Sequence, residues 1–301
     1  MQVSAHRVVW TSFIVDILDV ILNLIVMLAT GSVVMLSELL QGGADLIAAG
    51  MLLIGLKRSR PPADKKHPFG QGKEIYFWTL LSALVMFTVA AGFSLYFGWQ
   101  RFIKPEAVHN IYLAYGGLIF ATITNGYAFS LSFRRLLGRR DPKRILNIFL
   151  QSSLVESKNT FVLDFMGTSA AFIGLSALIL YQVTGEMRFD GIGAMSMGIV
   201  LSVLAFFLVL GVKDFLIGKS ASPEIEQQIR DAALTVPQVL EVLDLKTMQI
   251  GVGKLLVNLE VHMKDRLTTD ELEILTDKIK SRVRKEVPTI GHIHVELESP
   301  D

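Results

Sequence analysis

The stretch from residue 34 to residue 56 constrains the fold of this chain more than any other. It can cross a bilayer, since about 20 apolar residues span the hydrocarbon core as a helix. Glu38, Gln41 and Asp45 recur in it three and four residues apart, so one helical face holds all three. Ionisable groups inside a membrane are costly and usually face a bundle interior or a wet cavity. This face predicts a cation site; the alternative is polar packing between helices beside the two following glycines.

Five further stretches have the same apolar character. Apolar residues make up 51% of the 301 residues, and the mean hydropathy of +0.47 is above that of a typical soluble domain. The chain has no cysteine, which excludes disulfides and thiolate metal sites. The pattern predicts a membrane bundle of six transmembrane helices, at residues 8–29, 34–56, 76–99, 111–133, 160–183 and 191–212.

Lysine and arginine residues concentrate in two loops, which follow the second and the fourth apolar stretches. The other loops between the stretches carry few of them. Because loops rich in Lys and Arg stay on the cytoplasmic side, we expect both basic loops and both chain termini in the cytoplasm. Most of these basic residues need no role beyond this orientation.

The fifth stretch resembles the second in its polar pattern. Thr160 and Asp164 lie four residues apart, and Glu156 lies one turn earlier on the same face. Two facing helices that each offer an i, i+4 pair of ligands can build a four-ligand metal site in a bundle. We therefore expect the second and fifth helices to share a cation site.

Two other stretches carry isolated polar groups. Asp16, Asp19 and Asn23 share one face of the first helix, where they either bind a cation or hydrate a vestibule. In the fourth stretch, Asn125 favours a hydrogen bond between helices over a ligand role.

The chain becomes soluble in character beyond residue 212. Helical and alternating strand patterns follow in the order α, β, β, α, β, which predicts a small domain with an open α+β sheet. The predicted elements are residues 223–234, 239–249, 254–263, 268–287 and 290–298. We therefore expect a membrane domain at residues 1–218 and a soluble domain at residues 219–301.

These features together resemble the cation diffusion facilitator family. The segments GSVVMLSELLQGGADL (residues 31–46) and DKKHPFGQGKE (residues 64–74) are similar to that family's second helix and the loop after it, and the resemblance covers nearly the whole chain. It implies a membrane all-α six-transmembrane-helix bundle with a C-terminal cytoplasmic ferredoxin-like α+β domain that pairs protomers. We expect a homodimer in the lipid bilayer with no nucleic-acid partner. An enzyme is not expected, since no span contains His, Cys or a nucleophile–base pair.

The resemblance also implies a transport site. The family's ligands fall on Gln41 and Asp45 of the second helix and on Thr160 and Asp164 of the fifth, with Glu38 and Glu156 further along the same faces. The two aspartates match the family pattern, whereas the other two positions lack the expected imidazole of a zinc site. Oxygen ligands suit manganese, magnesium or ferrous iron better than zinc, and the departure also leaves open a decayed site.

Two further metal sites of the family are only partly represented. In the loop, Asp64 and His67 match the family's ligands, but Gln71 replaces a histidine. In the soluble domain, His294 falls on one ligand position, while Glu260 stands at a position where the family has histidine.

Two functions remain open. One is a secondary transporter that exports a divalent cation from the cytoplasm in exchange for protons. The other is a transport-silent family member that serves as a dimer partner, scaffold or metal sensor. Retention of Asp45 and Asp164 favours transport. Because no predicted span contains histidine, we expect carboxylates to hold the exchanged protons.

Overall fold

Six long helices coincide with the six apolar stretches within the part of the chain that is described. The computed structural model describes the backbone of residues 5–137 and 155–300, and the side chains of residues 17–134, 137 and 161–300. The helices are α1 (Ala5–Thr30), α2 (Val33–Arg58), α3 (Glu74–Ile103), α4 (Ile111–Leu137), α5 (Val155–Thr184) and α6 (Arg188–Ile217).

Four of the described helical segments are long and apolar enough to cross a membrane. They are α2, α3, α6 and the part of α5 from Phe161 to Thr184. The described apolar part of α1, Ile17–Thr30, is shorter. The prediction of a helical membrane domain is confirmed, while the count of six spans stays a prediction.

The described residues separate into two compact units. The helical unit consists of the described parts of Met1–Ile54, Trp78–Phe149 and Glu156–Val212. The sheet unit consists of the described parts of Gly55–Phe77, Leu150–Val155 and Lys213–Asp301. The loop between α2 and α3 thus belongs to the sheet unit, and the predicted domain boundary at residues 218 and 219 stays a prediction.

Small residues bring α3 and α6 together in the helical unit. A Cβ added to Gly98 would lie 2.9 Å from the carbonyl oxygen of Gly191, and one added to Gly198 would lie 3.0 Å from that of Ala91. Such small residues let helix backbones approach closely in a membrane. Ala91 belongs to a π-helical segment of α3, Met86–Gly92.

The helical unit buries one apolar cluster and exposes many apolar side chains. Met35 and Met197 are fully buried in the cluster. In contrast, Leu28 is 72% exposed, Ile123 is 65% exposed and Phe207 is 60% exposed. An apolar surface of this kind suits a lipid environment, since soluble proteins rarely expose large contiguous apolar patches.

The soluble segment folds in the predicted αββαβ order. Its elements are α7 (Pro223–Leu234), β1 (Val239–Gly251), β2 (Lys254–Met263), α8 (Thr269–Glu286) and β3 (Ile290–Leu297). The sheet order is β1-β2-β3, with β1 and β2 antiparallel and β2 and β3 parallel. The predicted α+β architecture is confirmed.

Local sequence signals explain why α8 and the hairpin form here. Thr268 caps α8 in a reciprocal capping box with Glu271, which satisfies backbone N–H groups at the helix start. Gly253 adopts a φ of +61° in the turn between β1 and β2, a conformation that glycine tolerates. Ile229, Val257 and Ile279 are fully buried and join both helices to the sheet.

The loop between α2 and α3 packs against the sheet within the sheet unit. A Cβ added to Gly72 would lie 2.5 Å from the carbonyl oxygen of Ile250 and 2.9 Å from the Cα of Gly251. The Phe69 ring also meets the His292 ring edge-on, with 5.2 Å between their centroids. Only a residue without a side chain allows the backbone approach at position 72.

Candidate cation site

A small polar cavity lies among α1, α2 and α4 of the helical unit. Its volume is about 50 Å³. This is enough space for ordered water or a single ion. The described residues that line it are Asp19, Glu38, Gln41, Gly42, Asp45 and Asn125. The structure therefore places the three polar residues predicted on α2 in one cavity.

The α2 side chains supply buried oxygen atoms to this cavity. Glu38 is 3% exposed and Gln41 is 2% exposed, whereas Asp45 is partly buried. Oε2 of Glu38 and Oε1 of Gln41 have no hydrogen-bond partner among the described residues. A buried polar atom without a partner is costly, and most such atoms are hydrogen-bonded to protein or water. These two oxygens are available to bind an occupant of the cavity.

Helix α1 lies against Gly42 of α2 at the cavity. A Cβ added to Gly42 would lie 3.4 Å from Cγ2 of Val20 and 3.6 Å from Oδ2 of Asp19. The buried Asn23 donates a hydrogen bond of 3.0 Å from Nδ2 to Oδ2 of Asp19. Asp19 therefore shares the cavity with Asp45, while the side chain of Asp16 lies outside the described residues.

Helix α4 contributes Asn125, for which the sequence favoured a contact between helices. The Asn125 side chain lines the cavity and also packs against α5, where a Cβ added to Gly167 would lie 3.0 Å from its Cγ. Asp164 lies about one helical turn before Gly167 and is partly buried. It is not among the described residues that line the cavity.

The predicted sharing of a site between α2 and α5 stays a prediction. The side chains of Thr160 and Glu156 lie outside the described residues, so α5 is represented only by Asp164 and its surroundings. The sequence predicted that Asp19 faces inward, where it binds a cation or hydrates a vestibule, and it favoured a hydrogen bond between helices for Asn125. Their polarity within apolar stretches was the available signal, but it does not show which helices are neighbours.

The ionisable groups that line the cavity are carboxylates. Asp19, Glu38 and Asp45 line it, and none of its described lining residues is Lys, Arg or His. Buried charge without compensation is strongly unfavourable, so protons or a cation must neutralise these groups. Among the described side chains, no group of three or more His, Asp or Glu residues is already spaced to hold a metal ion. The carboxylates would have to converge on an ion as it binds.

The loop pair predicted as a second metal site forms a local turn. Oδ1 of Asp64 accepts hydrogen bonds from the backbone N–H groups of Lys66 and His67. The bond from the His67 backbone is the main reason that the pKa of Asp64 lies below its usual value. Nδ1 of His67 lies 3.4 Å from Oδ1 of Asp64, and both side chains are largely exposed. Metal binding at this pair stays a prediction.

The two residues predicted as ligands in the soluble domain lie on neighbouring strands. Glu260 on β2 forms an ion pair of 3.6 Å with Lys246 of β1. His294 on β3 is exposed and pairs in register with Asn258. Metal binding at these residues also stays a prediction.

Comparisons with known proteins place both units in one family. Residues 9–213 match the family described as the cation efflux transmembrane domain, and residues 221–300 match the cytoplasmic domain of cation efflux proteins. The mitochondrial proton-coupled zinc antiporter of Mus musculus is 25% identical over 265 residues, covering 87% of this chain and 47% of the relative. The chain thus spans about half the length of that relative.

A second relative is matched over most of its length. The magnetosome protein MamB of Magnetospirillum gryphiswaldense is 23% identical over 286 residues, covering 94% of this chain and 90% of MamB. A solved structure of the MamM C-terminal domain is 19% identical and covers 26% of this chain and 96% of the solved chain, with a TM-score of 0.24.

Proposed function

This chain belongs to the cation efflux family, and from that premise we propose that it exchanges a divalent cation for protons across a membrane. The family transports divalent metal cations as substrates, and the chain is a multi-pass integral membrane protein. We propose that export runs from the cytoplasm, with both termini on the cytoplasmic side. The name of the zinc antiporter relative supports proton exchange as the mode of coupling.

The observation that carries this proposal is the polar cavity of the helical unit. It combines three carboxylates with two buried oxygens that no described residue satisfies, on Glu38 and Gln41. A structural contact between helices needs hydrogen-bond partners for these groups, whereas a transport site needs them available. Asp19 and Asn125 extend the proposed donor set beyond α2, and Asp164, Thr160 and Glu156 are the proposed donors from α5.

The chemistry of the donors favours a hard cation. All the proposed donors are carboxylate, amide or hydroxyl oxygens, and such ligands suit manganese, ferrous iron or magnesium better than zinc. A zinc site usually includes imidazole or thiolate, which the predicted spans lack. The proposed cargo is therefore one of these harder ions.

The proposed proton exchange uses the carboxylates of the cavity. All six histidines lie outside the predicted spans, at positions 6, 67, 109, 262, 292 and 294. The carboxylates of the cavity are thus the groups that hold protons when no cation is bound. An arriving divalent cation displaces those protons, which couples the two movements.

We expect Mn²⁺ binding to the purified full chain to release on the order of one to two protons at neutral pH, because metal ligands must be deprotonated. Isothermal calorimetry in buffers of different ionisation enthalpy measures this number. The Glu38→Gln variant should release fewer protons, whereas Glu273→Gln, at an exposed residue of α8, should release as many as the unchanged chain. A release of zero protons would exclude carboxylate exchange and leave a facilitator or a silent protein.

Gln41 is the position where the ion preference should change most directly. Replacing it with histidine adds an imidazole to the cavity, which suits zinc better than an amide oxygen does. The ratio of Zn²⁺ to Mn²⁺ affinity should rise about tenfold, the equivalent of about 1.4 kcal/mol. The Gln41→Leu variant is the matched control, since it removes the oxygen without adding a ligand. An unchanged ratio in Gln41→His would place the ion away from position 41.

The second candidate function is a transport-silent protein. It is favoured by the three positions where this chain departs from the family's ligand pattern, Gln41, Thr160 and Gln71. Such a protein would act through a homodimer formed by residues 219–301, whose open sheet otherwise exposes strand edges. Failure of every divalent cation to move into liposomes under an imposed pH gradient would favour this second candidate.

A further inference from the structure

We propose that the sheet unit binds an anionic phospholipid in a cavity formed by the α2–α3 loop, β1 and the end of α6. We call it the juxtamembrane cavity. Its volume is about 550 Å³, within the range of ligand pockets. It is lined by Lys66, His67, Pro68, Phe69, Gly70, Gln71, Lys73, Glu74, Phe77, Leu216, Met248 and Ile250.

The loop wall of this cavity is held in place by packing. Gly72 lies against the backbone of Ile250, and Phe69 contacts His292. The turn at Asp64 fixes the chain just before the lining residues, since its carboxylate accepts two backbone hydrogen bonds. These contacts make the cavity a preformed feature of the sheet unit.

Two lysines give the cavity its positive charge. Lys66 is exposed, and Lys73 is partly buried. Nζ of Lys73 lies 3.4 Å from the carbonyl oxygen of Leu216 and 3.9 Å from Sδ of Met248, both neutral acceptors. Glu74 offsets part of the charge, so the two ammonium groups together leave the lining positive. A phosphate group is the complementary ligand for such a pair.

The apolar part of the lining distinguishes a lipid from a soluble anion. Phe69 is 47% exposed and Phe77 is 52% exposed, and Leu216 and Ile250 lie beside them in the lining. Two helices long enough to cross a membrane begin or end at these residues, because α3 begins at Glu74 and α6 ends at Ile217.

The juxtamembrane cavity therefore lies at the boundary between the hydrocarbon core and water. Basic pockets at this depth bind anionic lipid headgroups. An acyl chain can cover the apolar wall while the phosphate meets the lysines. A free phosphate would contact only the lysines and leave the apolar wall uncovered.

Native mass spectrometry of the full chain, released from detergent micelles, tests this proposal. The micelles carry phosphatidylglycerol or phosphatidylcholine with identical acyl chains. We expect the chain to retain phosphatidylglycerol in preference. The Lys66→Gln variant should lower that retention about fivefold, since one Lys near an anionic lipid surface contributes about 1 kcal/mol. Lys65→Gln is the matched control, because Lys65 is also exposed and adjacent but does not line the cavity.

Three results would overturn the proposal. Equal retention of the two lipids would show that headgroup charge is not recognised. An equal loss in Lys65→Gln and Lys66→Gln would show diffuse attraction to a basic loop in place of a site. Displacement of the lipid by inorganic phosphate at the same concentration would show that the apolar wall contributes nothing.

Discussion

The Asp45→Asn variant is expected to lose cation transport while keeping its fold. Asparagine has nearly the same volume as aspartate, but it removes the charge that neutralises a divalent cation. Loss of even a residue that supports a metal ligand lowers affinity or activity by 10–100-fold, so we expect Mn²⁺ uptake to fall at least about 100-fold. Proteoliposomes with an imposed pH gradient provide the measurement.

Two further variants locate the ligands around Asp45. Asp164→Asn should abolish uptake in the same assay if α5 shares the site, and Asp19→Asn should weaken it if α1 contributes an oxygen. Asp277→Asn is the control, because Asp277 lies on α8 and its side chain is 72% exposed. Normal uptake by both Asp45→Asn and Asp164→Asn would place the transport site elsewhere in the protein.

The predictions that succeeded from sequence rest on local periodicity. The spacing of Glu38, Gln41 and Asp45 placed them on one face because a helix repeats every 3.6 residues. The same reasoning predicted α7 and α8, and alternation predicted the three strands of the sheet. The predicted start of α8 was residue 268, and the Thr268 side chain caps backbone groups there.

The features that sequence reasoning missed depend on contacts between distant residues. Asn125 lines the cavity because α4 packs beside α2, and no local pattern specifies that arrangement. Gly42 was assigned to packing between helices. The structure shows that α1 contacts Gly42 at Val20 and Asp19, and that Gly72 admits the β1 backbone. The residues around a glycine in the sequence do not show which distant segment packs against it.

Asp190 is another residue whose role depends on distant contacts. It is fully buried in the helical unit. Its carboxylate accepts hydrogen bonds from Oγ of Ser32 at 2.6 Å and from the backbone N–H groups of Val33 at 2.9 Å and Val34 at 3.1 Å. These donors lie at the start of α2, where backbone N–H groups have no partner within the helix. Asp190 therefore caps α2 from another helix.

A buried arginine completes the arrangement around Asp190. Nε of Arg101 lies 3.4 Å from Oδ2 of Asp190, and its guanidinium also donates to the carbonyl oxygen of Gly31. Asp190 lies in the first turn of α6, where the helix dipole favours a negative charge. The ion pair thus joins the starts of α2 and α6 to the end of α3.

We expect Asp190→Ala to be the most destabilising of the variants considered. It removes the acceptor of three hydrogen bonds and leaves the buried Arg101 without this partner, and breaking such a pair costs about 3–5 kcal/mol. The thermal unfolding midpoint of the full chain should fall, and amide hydrogen exchange at Val33 and Val34 should accelerate. Glu106→Gln is the matched control. Glu106 also pairs with Arg101, at 3.0 Å, but it is 76% exposed.

Comparing the two variants distinguishes the buried interaction of Asp190 with Arg101 and the start of α2 from the exposed ion pair of Glu106 with Arg101. Loss of the exposed Glu106 partner should cost less than about 1 kcal/mol, because solvent screens such pairs. Equal destabilisation by Asp190→Ala and Glu106→Gln would contradict a stabilising role for the buried Asp190 contacts. Glu38 lies less than two helical turns beyond Val33, so an uncapped start of α2 should also disturb the cavity. Asp190→Ala should therefore weaken Mn²⁺ binding although Asp190 does not line the cavity.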